Sequence, residues 1–179
     1  MCLQGKNIPT QKILKNCPAP AKITFIGIGN TLAGDDGAGM VMLWKLRRRI
    51  GDVPGVAFRE IPGDMYEIWD ILPGTESMVF LDAVAGEIPG IISAGKTLPR
   101  AFFPSFHQAD LCSVVASLAT LYDGEFPPWI LWGVTIHPPR MLGEGLSDVV
   151  EYAVDKAVTE IVKLLRGNGL PIGRLLVKI

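Results

Sequence analysis

Asp36, Asp82 and His107 are the side chains with most chemistry to offer. Asp36 stands in the loop after a first strand-like run, Asp82 at the end of a third, and His107 in the loop before a helix-like stretch. Two carboxylates and one imidazole suit nickel or zinc, and three protein ligands leave positions open for water or for a substrate that brings its own metal. No spacing of the EF-hand kind occurs, so an all-oxygen calcium cage fits less well. Taken singly, each residue also has an ordinary role. Asp35 and Asp36 suit a helix N-terminus, Asp82 a strand-end cap or ion pair, and His107 a plain surface position. His137, the only other histidine, follows a strand and is a weaker candidate for a fourth ligand.

Two other chemistries fit poorly. Gly27-Ile28-Gly29 opens like a dinucleotide fingerprint, but the third glycine of G-x-G-x-x-G falls on Leu32. Glu60 also lies too far along the chain to be the ribose-contacting acid. No serine, cysteine or threonine with a paired base is recognisable, and with two histidines in all a Ser-His-Asp triad has few candidates.

The elements that must hold these residues can be read from periodicity. Ile23 to Ile28 is apolar and β-branched and breaks at Gly29-Asn30, as a buried strand does on entering a tight loop. Met40, Val41, Leu43, Trp44 and Leu46 then form a helix whose end carries Arg47-Arg48-Arg49, a placement the helix dipole favours. Val56 to Ile61 reads as a strand, Met65 to Leu72 as a short helix, and Met78 to Ala83 as another strand. A helix runs from near Asp110 to Asp123-Gly124, a strand from Trp129 to Thr135, and a long helix from the N-cap Ser147 to just before Gly167. The four tryptophans, Trp44, Trp69, Trp129 and Trp132, read as core. Strands alternating with helices predict an α/β fold with the sheet covered on both faces and its binding site beyond the carboxyl ends of the strands.

The chain organises as an N-terminal extension over residues 1–21, one catalytic domain over 22–167 and a tail over 168–179. A domain of this size buries roughly 70% of the surface its unfolded chain exposes. A net charge of −1, 49% hydrophobic and 20% charged residues point to neither nucleic acid nor an anionic membrane as partner. No apolar run of spanning length and no signal-peptide pattern occurs, and Cys2, Cys17 and Cys112 form no C-x-x-C pair. A soluble protein in the reducing cytoplasm, acting as a monomer, is the expectation.

The stretch from Gly27 to Gly39 resembles the G-x-G-N-x-L-x-x-D-[DE]-G-x-G opening of the hydrogenase maturation endopeptidases over thirteen positions. Val79-Phe80-Leu81-Asp82-Ala83 resembles that family's strand ending in D-A, and Ser105-Phe106-His107 its S-x-H before a helix. Gly143-Glu144-Gly145-Leu146-Ser147 also falls in family order. The resemblance implies a three-layer α/β/α sandwich with a twisted, mostly parallel sheet of the phosphorylase/hydrolase-like kind. It implies Asp36, Asp82 and His107 as the metal and catalytic residues, with Asp36 standing where many members carry glutamate. The implied activity is an aspartic-type endopeptidase that cuts the C-terminal extension from the nickel-loaded large-subunit precursor of a nickel-iron hydrogenase. Nickel would come with the precursor, with zinc as another possible ion, and a non-enzymatic nickel-binding maturation chaperone is the alternative.

Overall fold

β1 (Ile23–Ile28) is buried at every position, which a strand reaches only with strands on both edges and helices on both faces. The computed structural model describes residues 23–95, 111–138 and 142–167. The expected extension over 1–21 and tail over 168–179 lie outside the described residues, as does His107.

After β1 come a 3-10 turn at Gly34–Gly37, α1 (Ala38–Ile50), β2 (Val56–Ile61), α2 (Ile68–Ile71), β3 (Met78–Ala85), β4 (Ile92–Gly95), α3 (Leu111–Leu121), β5 (Trp129–Ile136) and α4 (Asp148–Gly167). The sheet has five strands in the order β2-β1-β3-β5-β4. β1 runs parallel to β2 and β3, and β3 parallel to β5. β4 alone is antiparallel, Ala94 lying opposite Trp132.

Alternation along the strands divides the core in two. Ile23, Phe25, Val79, Leu81, Trp132 and Val134 face α1 and α4, whose buried stripe includes Leu43, Leu46, Val150, Val154, Val158 and Ile161. Ile26, Ile28, Met78, Phe80 and Leu131 face Ile68 of α2 and Leu111, Val114, Val115 and Leu118 of α3. The result is an α/β/α sandwich with a mostly parallel sheet. Lys45 bridges α1 to α4 through Glu151 at 3.2 Å and Asp155 at 3.0 Å.

Two expectations are corrected, and one strand is added. The single helix over Met65 to Leu72 is a 3-10 turn at Met65–Glu67, one turn of α2, and a 3-10 turn at Leu72–Gly74, because Pro73 cannot continue a helix. Strand β4 had no separate signal in the sequence. Trp44 and Trp69 are each 43% exposed rather than core: Trp44 donates its Nε1–H to Glu60 at 2.9 Å, and Trp69 packs edge-on against Tyr122.

Phe80 is fully buried and meets Trp129 edge-on at 5.8 Å between ring centroids. Phe80→Ala should cost about 3–5 kcal/mol, read as a lower urea midpoint at an unchanged slope. A loss under about 1 kcal/mol would show that the face toward α3 is loosely packed.

Candidate active site at the carboxyl edge of the sheet

The loop from Gly29 to Gly37 folds back on itself because its glycines leave no room for side chains. Gly29 has φ +133° and lies against the backbone carbonyl of Asp36, while a Cβ on Gly37 would press on Thr31 at 2.9 Å. Asn30 organises the turn between them. Its side-chain oxygen accepts from the Leu32 amide at 3.0 Å, its carbonyl accepts from Ala33 at 3.0 Å, and its own amide donates to Asp36 Oδ2 at 3.1 Å. That asparagine is the one the motif places there.

Gly39, the last glycine of the motif, sits in the first turn of α1, where a Cβ would collide with the backbone carbonyls of both Ile28 and Leu81. α1 therefore crosses the end of β1 and the middle of β3 at backbone contact, since β3 runs on past Asp82 to Ala85, held by its pairing with β5, rather than ending at Asp82-Ala83 as the sequence suggested. The crossing sets Asp36, three residues before Gly39, and Asp82, next after Leu81, at the same edge. Both are half-buried. Asp82 Oδ1 accepts from the Ala83 amide at 2.8 Å. Strand alternation turns its side chain to the same side as Phe80, the face on which α3 packs, and α3 begins four residues after His107 in sequence.

Among the described residues no cluster of three or more His, Cys, Asp or Glu stands ready to hold a metal ion. His137 follows β5 directly and is exposed.

Asp35 departs from the simple helix-start role that sequence suggested. Both of its oxygens accept from Ser147, Oδ1 from the amide at 2.6 Å and Oδ2 from the hydroxyl at 2.9 Å. The loop before α4 is further tied in by Gly34 N–H to the Gly143 carbonyl at 2.6 Å and Gly143 N–H to the Leu32 carbonyl at 2.9 Å. The two adjacent acids thus face different tasks.

Partial burial pushes the Asp36 carboxyl above its ordinary value of 3.8, and the hydrogen bond from the Asn30 amide offsets this only in part. The folded state therefore holds the Asp36 proton more tightly than the unfolded chain does. Stability from that proton is present below the unfolded value and is lost as pH rises through the folded one. Asp36→Asn should melt close to wild type near about pH 3 and above it at neutral pH, in metal-free buffer. Thermal melts at the two pH values check this, and a variant less stable than wild type at neutral pH would contradict it.

No family profile matches the sequence. Protein FrxA of Pyrococcus furiosus is 27% identical over 139 residues, covering 74% of this chain and 97% of that protein. The hydrogenase maturating endopeptidase HybD from E. coli is similar in structure at a TM-score of 0.60 and 25% identity, over 83% of this chain and 94% of that one. The solution structure of an endopeptidase from Escherichia coli gives a TM-score of 0.67 and 25% identity over the same shares. The likeness spans nearly the whole length of each of these proteins.

Proposed function

We infer that this chain, a member of the hydrogenase maturation endopeptidases by motif and by fold, removes the C-terminal extension from the large-subunit precursor of a nickel-iron hydrogenase. The observation that supports this reading best is the crossing at Gly39, which brings the start of α1, just after Asp36, against the backbone of Leu81, the residue before Asp82, on the side where parallel α/β sheets bind their ligands.

Nickel enters as part of the substrate. Half-buried carboxylates, one of them held above its ordinary pKa by desolvation, fit a cation that arrives with the precursor and replaces lost water. His107 supplies the imidazole in this scheme. Recognition through the ion lays the adjoining peptide along the carboxyl edge. A carboxylate with a raised pKa is also the better base. It takes a proton from a water whose oxygen adds to the scissile carbonyl, and the proton passes on to the departing amide nitrogen. The C–N bond breaks, leaving a new carboxyl end on the mature subunit. This scheme belongs to the cytoplasm, where the precursor is made.

Purified precursor should be shortened when loaded with nickel and stay whole without it, as read by mass. Asp82→Asn should lose processing by at least about a hundredfold while keeping its melting temperature, since it removes charge without changing shape. Equal trimming of both precursor forms would overturn recognition through nickel. A nickel-loaded precursor that is bound but never cut would mark a chaperone instead of a protease.

A further inference from the structure

Asp35 and Asp36 share the 3-10 turn Gly34–Gly37, yet their side chains are held very differently. Among the described residues Asp36 receives one donor, the Asn30 amide at 3.1 Å. Asp35 receives two from Ser147, at 2.6 Å and 2.9 Å, across 112 positions of sequence. Charge-assisted bonds of this kind are shorter and stronger than neutral ones. The flanking Gly34–Gly143 and Gly143–Leu32 backbone bonds run between the same two segments. Ser147 is also the residue whose carbonyl accepts from Glu151 as α4 begins, so the turn is moored to the start of the longest helix of the sandwich.

We propose that Asp35 is a positioning residue: its paired hydrogen bonds with Ser147 fix the Gly34–Gly37 turn against the start of α4 and so set where the neighbouring Asp36 carboxylate stands. This rests on the reading of Asp36 as a site residue of the endopeptidase. Ser147 holds the turn through Asp35, and Asn30 holds it through Asp36. With the mooring cut, the Gly34–Gly143 and Gly143–Leu32 backbone bonds still join the two segments, but the tie next to Asp36 is lost and the turn can shift there, carrying Asp36 with it.

The test uses the full chain with Asp35→Ala, Ser147→Ala, the double variant and Ser147→Thr. On nickel-loaded precursor, Asp35→Ala should lower kcat about tenfold with KM within about twofold. Ser147→Ala keeps the backbone donor and should lower kcat about threefold. The double variant should match Asp35→Ala, because both changes remove one interaction. Ser147→Thr keeps the hydroxyl and should restore the wild-type rate. A second readout needs no activity. In amide NMR spectra the Asn30 resonance, which reports its bond to Asp36, should move in Asp35→Ala toward its position in Asp36→Asn and hold still in Ser147→Thr. An unmoved Asn30 resonance in Asp35→Ala overturns the proposal whatever the rates do, as do additive losses or a change confined to KM. Should wild type leave the precursor uncut, the endopeptidase reading fails, and the Asn30 resonance still decides whether Asp35 positions Asp36.

Discussion

The architecture turns on one approach of backbone to backbone. The first turn of α1 rests against the carbonyls of Ile28 and Leu81, a separation that only a residue without a side chain allows, and Gly39 provides it. Gly27 belongs to the same contact, since a Cβ there would meet Leu43 at 2.8 Å and the Gly39 carbonyl at 3.0 Å. Once α1 lies this close, its N-terminus opens beside the end of β1 and the middle of β3. The loop that precedes it must then fold tightly enough to reach that point, which is why glycines recur at 29 and 37.

The same contact explains how a single acidic pair divides its labour. The short turn Gly34–Gly37 gives two consecutive carboxylates different surroundings. One meets Ser147 at the rim; the other lies partly withdrawn from water beside Asn30. Desolvation raises the free energy of the ionised Asp36, and a cation offered by a partner offsets that cost. A site built this way gives up some stability of the free protein for attraction to a charged ligand.

Most of the scaffold was legible in the sequence because its central strands are buried on both faces and therefore carry unbroken apolar runs, as Ile23–Ile28 and Trp129–Ile136 do. α4 was legible for the complementary reason: one stripe from Val150 to Ile161 repeats at three and four residues over many turns. β4 was not, since four residues at a sheet edge owe their conformation to pairing with β5 rather than to any pattern of their own. Trp44 and Trp69 misled because burial of a large ring depends on what lies opposite, and Trp44 has Glu60 there, whereas Trp132 is core as expected. Asp35 could not be separated from Asp36 by sequence, since its partner is remote along the chain. Asp36 and Asp82 were each singled out by a strand-end position and by motif; Asp36 does lie in the loop after β1, whereas β3 continues past Asp82 to Ala85 because β5 pairs with it there. His107 rests on the resemblance and on its place before α3.

The central claim is that Asp36, Asp82 and His107 make one site. A crystal structure of this protein with its nickel-loaded precursor tests it most directly, through the separations between the His107 imidazole and the two carboxylates. The account predicts all three within reach of a common ion, at bonds of about 2 Å. An imidazole more than about 8 Å from both carboxylates, several times such a bond, would contradict it.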